Sequence, residues 1–170
     1  IYREGRKMLI EANEILRQVA PVDEIVVCGN HDNVSMFHLG DALECWFHAY
    51  EDVKIFNAPI SRKYYQFGKN MLCFCHGHQE KHANLPNLAA QEQPAMWAAT
   101  TTREFHCGHY HHMVTKEYMG FNVRILSSLS GPDRYHHDNG YVGAKRTAQA
   151  FLFNEITGLE AIFESTAVTS

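Results

Sequence analysis

Three strand-sized runs in this 170-residue chain, at residues 25–28, 71–75 and 104–107, each end in a polar loop carrying glycine and histidine. The loops are Gly29-Asn30-His31-Asp32, His76-Gly77-His78 and Gly108-His109-Tyr110-His111. The first run, Ile25-Val26-Val27-Cys28, contains no polar side chain, so it reads as a short strand buried on both faces, the kind found in parallel sheets. In an open α/β sheet ligands bind at the carboxyl ends of the strands, where loops far apart in sequence can converge. The pattern therefore predicts an α/β fold with a histidine-rich site along one edge.

The segments between these runs agree with that class. From Tyr2 to Val19, the apolar residues Met8, Ala12, Ile15, Leu16 and Val19 recur at helical spacing, with Arg3, Arg6, Lys7 and Arg17 interleaved as a solvated face; Pro21 stops the helix. A second helix is expected after Ser35, with Leu39, Leu43, Trp46, Phe47 and Tyr50 on one stripe. Strands are expected at 53–56 and 64–67, with a Gly68-Lys69-Asn70 turn into 71–75, and one or two short helices between 85 and 99. A hairpin over 114–126 turning at Gly120, a loop over 127–146, and strands at 148–153 and 160–163 around a Thr157-Gly158 turn complete the reading. The length suits one domain, so residues 1–170 are read as a single unit with a core of its own.

Composition excludes several classes. Fifteen Lys and Arg against nineteen Asp and Glu leave a net charge of −4, so no global positive field attracts nucleic acid or anionic lipid. Lys145, Arg146 and Arg134 offer at most a local phosphate patch. The longest apolar runs are far too short to span a bilayer. Five cysteines without repeated spacing, and no signal-like apolar segment, read as reduced thiols of a cytoplasmic protein.

The chemistry sits in the three loops. Imidazole nitrogens and an amide oxygen suit borderline divalent ions such as Mn, Fe or Zn, and the adjacent glycines let the backbone turn tightly enough to aim them. His109 and His111 alternate, so each can face a different ion.

In this order the motifs resemble the calcineurin-like metallophosphoesterases, whose signature runs D-x-H, G-D, G-N-H-[DE], a His before Gly, and G-H-x-H; the last three elements are present here. The segments Ser-Leu-Ser-Gly-Pro-Asp-Arg-Tyr-His-His and Gly-Tyr-Val-Gly-Ala-Lys-Arg also look like phage-type members described as DNA repair exonuclease-like, which implies a bacterial or phage-infected cell. The resemblance implies an α-β-β-α sandwich, with Asn30, His76 and His109 ligating one metal, His111 ligating another, His31 as general acid and Asp32 orienting His31. It implies a two-metal phosphoesterase acting on a phosphate ester, DNA, a nucleotide or another phosphodiester, with Mn the favoured ion and Fe, Zn or Ni as alternatives. The D-x-H and G-D elements have no counterpart before Asn30, where Asp23 is the only aspartate and there is no histidine. Gly40-Asp41 falls in the helical pattern and reads as a surface pair. The expectation is therefore the C-terminal part of a longer enzyme, lacking its first strands. Alone, it would hold at most one metal with little or no activity, and its open sheet edge would be free to pair with a second copy.

Two other readings stand beside this one. A non-catalytic interaction scaffold on the same fold is the alternative, although the trafficking subunit that illustrates it lacks the histidine that His31 supplies here. A structural zinc site at Cys73, Cys75 and Cys107 is disfavoured, because Cys73 and Cys75 alternate along a strand without a knuckle, and Cys28, Cys73 and Cys107 fit buried strand positions. Of the remaining histidines, His78, His112 and His136 lie near enough to the motifs to touch substrate; His38, His48, His82, His106 and His137 read as ordinary surface or partly satisfied positions.

Overall fold

The computed structural model describes residues 2–129, 143 and 145–167. Expectations that fall on Arg134, His136 and His137 lie outside them. The chain is mixed α/β and divides into two compact units, Ile1–Lys63 and Tyr64–Ser170. Among the described residues no helix is long and apolar enough to cross a membrane.

The first unit runs α1 (Tyr2–Leu16), β1 (Val22–Ile25), α2 (Asn33–Phe47) and β2 (Val53–Phe56). β1 and β2 pair in parallel from Val22 opposite Val53 to Ile25 opposite Phe56. The core is Leu39, Leu43, Phe47 and Val53, with Leu9, Ile10, Val22 and Ile55 packed against it. The helix pattern holds for α2 at Leu39, Leu43 and Phe47, although Trp46 is exposed and Tyr50 lies beyond the helix, whereas α1 presents a different face from the one its spacing suggests. Met8, Ile15, Leu16 and Val19 are exposed, at 62%, 59%, 55% and 86%, while Leu9, Ile10 and Asn13 turn inward. Polar anchors decide this rotation. The buried Asn13 amide donates to the Leu9 carbonyl at 3.0 Å and to the Glu24 carboxylate. Arg17 donates to both Asp52 oxygens, at 3.1 and 3.0 Å, with its guanidinium over the Tyr50 ring.

β1 lies earlier than expected, because β2 ends at Phe56 and the ladder ends with it. Val26 N still donates to the Phe56 carbonyl at 3.2 Å, but residues 27 and 28 have left the strand, and Cys28 is only half-buried. Gly40 corrects the surface-pair expectation: Asp41 is exposed, whereas Gly40 is buried under Asn57, whose Oδ1 would lie 2.2 Å from an added Cβ.

In the second unit, β3 (Arg62–Phe67), β4 (Asn70–Cys75), β5 (Thr102–Cys107), β6 (Val114–Tyr118) and β7 (Phe121–Ile125) form one sheet in the order β3-β4-β5-β7-β6. The β4–β5 and β5–β7 pairs are parallel, and β6–β7 is the expected antiparallel hairpin. A 3₁₀ turn (His82–Asn84), α3 (Leu85–Glu92) and α4 (Pro94–Ala99) make the crossover from β4 to β5. They cover the apolar face, where Met71, Cys73, Cys75, Phe105, Cys107, Phe121 and Val123 pack with Leu85 and Ala89.

Strand alternation puts Glu104, His106, Asn122 and Arg124 on the opposite face. There β8 (Thr147–Asn154), paired antiparallel with β9 (Gly158–Thr166), sets the Phe151 ring 4.7 Å from His106. The Glu104 carboxylate, 1% exposed, accepts from Arg124 Nε at 2.6 Å, Arg124 Nη2 at 3.1 Å and Asn122 Nδ2 at 3.3 Å, with His106 Nε2 3.5 Å away. His106 is thus buried, not at the surface. At the far end of the sheet, Lys69 N donates to the Glu155 carbonyl and Asn70 Nδ2 to the Asn154 carbonyl, at 2.6 and 2.8 Å. An added Cβ on Gly68, whose φ is 55°, would meet the Glu155 oxygen at 2.3 Å.

Burial pushes the Glu104 carboxyl up, but the close approach of His106 and the hydrogen bonds and charge of Arg124 outweigh it and hold the pKa down at about 2. A depressed carboxyl stabilises the fold fully above its ordinary value of 4.5, and that contribution is lost as pH falls toward 2. Glu104→Gln should therefore lower stability at pH 7 by about 3 kcal/mol, since it leaves Arg124 without its buried partner. In urea unfolding followed by circular dichroism, the gap to the unsubstituted chain should narrow as pH is lowered from 5 to 2.

Candidate histidine site at the strand ends

The parallel register of β4 and β5 places Cys75 opposite Cys107, so the two strands leave the sheet side by side. The next residues stay paired, with Gly108 N donating to the His76 carbonyl at 3.1 Å. The second and third motif loops therefore meet. The His76 and His109 ring centres lie 5.0 Å apart, and the His78 ring is 5.1 Å from His76 and 5.7 Å from His109.

The backbone at this edge is tightly constrained. Gly77 is buried with φ of 94°, and an added Cβ would come within 3.1 Å of Cys107 Cβ. His109 and His111 adopt φ of 67° and 54°, a left-handed conformation that costs a non-glycine residue about 1–2 kcal/mol. Strained backbone at chemically capable side chains is a known mark of functional sites. Tyr110, between them, meets His109 at 5.0 Å and His82 at 5.5 Å, and His112 Nδ1 lies 2.8 Å from the Tyr110 carbonyl oxygen.

The first motif loop belongs to the other unit. It follows β1 and leads into α2, with Asn30, His31 and Asp32 all exposed. Asp32 shapes it: Oδ1 accepts from Gly29 N at 2.7 Å, and its carbonyl accepts from Met36 N at 2.8 Å and Ser35 Oγ at 3.0 Å. Asp32 thus closes a small turn around Asn30 and His31. Beside the loop, burial raises the Cys28 thiol pKa, Lys63 opposes the rise and Asp32 adds to it.

The structure thus brings His76, His78 and His109 together. The sequence makes His78 at most a substrate contact and gives no signal for Tyr110 and His82, because only the crossover turn brings His82 to the ring of Tyr110. The patch of Lys145 and Arg146 is already engaged: Lys145 pairs with Glu164 at 2.7 Å, and Arg146 Nε donates to the Leu129 carbonyl at 3.0 Å.

For a divalent metal, the donors fit in kind, and His76 and His109 fit in spacing. With metal–nitrogen bonds of about 2.1 Å, two imidazoles on one ion stand with ring centres about 5 Å apart. The arrangement is incomplete: among the described residues no three His, Cys, Asp or Glu side chains are placed to hold a metal ion.

Comparison of the chain with family models, with curated proteins and with solved structures finds no match.

Glycine accepts a positive φ at no steric cost. His109→Gly should therefore keep or raise thermal stability by up to about 1 kcal/mol, whereas His109→Ala should not raise it. Differential scanning calorimetry on the two variants measures this directly.

Proposed function

We propose that this chain carries the metal-binding and proton-donating loops of a metal-dependent phosphoesterase of the calcineurin-like type, on an α-β-β-α sandwich. The observation that supports this best is the ring contact of His76 with His109 at the paired ends of two parallel strands. Two of the three motif loops, separated by about thirty residues, meet there in the way a metal site at a sheet edge requires.

On this reading His76 and His109 would serve one divalent ion and His111 another, with Mn favoured over Fe, Zn or Ni. When bound, such ions stabilise charge on the attacking and leaving oxygens of phosphate displacement and lower the pKa of water. The chain's own residues do the rest. His31, exposed on a loop tied by Asp32, would give its proton to the departing oxygen. Asp32 keeps that loop closed by accepting from Gly29 N, so the imidazole is presented from a fixed turn. His109 and His111, both with left-handed φ, lie in the loop just beyond the end of β5. The substrate is a phosphate ester, with a DNA backbone among the candidates. The D-x-H and G-D carboxylates of the family pattern have no counterpart here, so on this reading the chain would hold at most one ion, weakly, with little or no hydrolysis.

The alternative, a non-catalytic scaffold, gains weight from one observation: Met8, Ile15 and Leu16 on α1 are exposed apolar residues, as is Val19 just beyond it.

Titration of the metal-free chain with Mn, together with Mn-dependent hydrolysis of a chromogenic phosphodiester, separates the two. The phosphoesterase reading expects saturable binding of up to one ion, lost in His109→Ala. It expects His31→Ala to bind as before while residual hydrolysis falls by about 10²–10⁴-fold. A chain that binds no divalent ion at all is either an incomplete piece of an enzyme or a scaffold.

A further inference from the structure

We propose that Cys75 and Cys107 form a reversible cross-strand disulfide that ties β4 to β5 directly beneath the histidine loops. Their sulfurs lie 3.4 Å apart, and the two residues are register partners in the parallel β4–β5 ladder. Neighbouring strands run about 4.8 Å apart, inside the range of about 4.4–6.8 Å that disulfides span between α-carbons, so the bond needs no strand movement. Cys28 and Cys45 have no such partner thiol in contact, and Cys73 stands opposite Phe105 in the ladder, not opposite a cysteine.

Both sulfurs are enclosed, at 3% and 1% exposure, so the suitable oxidant is a small hydroperoxide such as hydrogen peroxide; a glutathione-sized disulfide would not reach them. The chemistry balances in two steps. One thiol attacks the peroxide, giving a sulfenic acid and one water. The second thiol then attacks that sulfur, forming the S–S bond and releasing a second water. Two cysteines are oxidised, the peroxide is reduced to two waters, and a dithiol reductant reverses the bond.

The consequence reaches the histidine cluster through short connections. His76 follows Cys75 directly, Gly77 already sits so close to Cys107 that an added Cβ would come within 3.1 Å of its Cβ, and Gly108 N is hydrogen-bonded to the His76 carbonyl. Drawing the sulfurs from contact to bonding distance rearranges the two side chains that pack directly beneath these loops. His76 and His109 therefore report the redox state of the pair. This inference stands whether or not the chain hydrolyses phosphate esters.

The test uses the folded, unsubstituted chain treated with hydrogen peroxide, then denatured, alkylated and digested without reductant for mass spectrometry. The expected product lacks two hydrogens, joins the Cys75 and Cys107 peptides, leaves Cys28, Cys45 and Cys73 alkylated, and reverts with dithiothreitol. Cys73→Ala should keep the link, and Cys75→Ala should lose it. In NMR spectra the imidazole signals of His76 and His109 should shift on oxidation and return on reduction. Five alkylated cysteines, a link through Cys73, sulfinic acid at either position, or a link that leaves both imidazole signals unmoved would overturn the proposal.

Discussion

β4 and β5 run parallel with Cys75 opposite Cys107, and most of the second unit follows from that pairing. Parallel neighbours cannot be joined by a tight turn, so the chain needs a crossover, which here is the 3₁₀ turn, α3 and α4. Those helices need an apolar surface, and Met71, Cys73, Cys75, Phe105 and Cys107 supply it on one face. Because both strands end at the same edge, the residues after them emerge together. The histidine cluster is thus a product of register: a slip of one residue would turn every side chain of β5 to the opposite face and separate the loops.

The opposite face is built on charge. A carboxylate at 1% exposure is tolerable only if fully paired, and Glu104 accepts from Arg124 twice and from Asn122 once. All three side chains lie on β5 and β7, so the cluster locks the relative register of those strands. Buried ion pairs are weak sources of net stability compared with apolar packing, but losing one partner is severe. The β8–β9 hairpin closes this layer with Phe151, and a hairpin alone is marginal in water; the contacts of Asn154 and Glu155 with the β3–β4 turn tie its far end to the sheet.

Much of this was legible from residue pattern. α2, α3, α4, the β6–β7 hairpin at Gly120, the β8–β9 turn and the buried cysteines of β4 and β5 follow from period, turn residues and apolar runs. The failures have a common cause. On α1 the stripe through Met8, Ile15 and Leu16 is the more apolar one, yet Asn13 and Arg17 bond to Glu24 and Asp52, and specific polar pairing outweighs an average preference for burial. β1 begins earlier than its apolar run because its partner β2 ends at Phe56. His106 is buried because Glu104, Arg124 and Phe151 surround it, and those neighbours are distant in sequence. Gly40 is buried because Asn57 lies over it.

By itself the sequence determined the kinds of element, the placing of glycine and histidine directly after strands, and the chemical character of those loops. These are local properties, set by side-chain period, by backbone freedom at glycine and by the donors each residue carries. Only the tertiary structure decided which loops meet. The pairing of β4 with β5 brought His76, His78 and His109 into one cluster and set two thiols in contact, and no local pattern encodes the partner or register of a parallel strand. That choice rests on long-range packing, on the apolar layer under α3 and α4 and on the buried charge between β5 and β7.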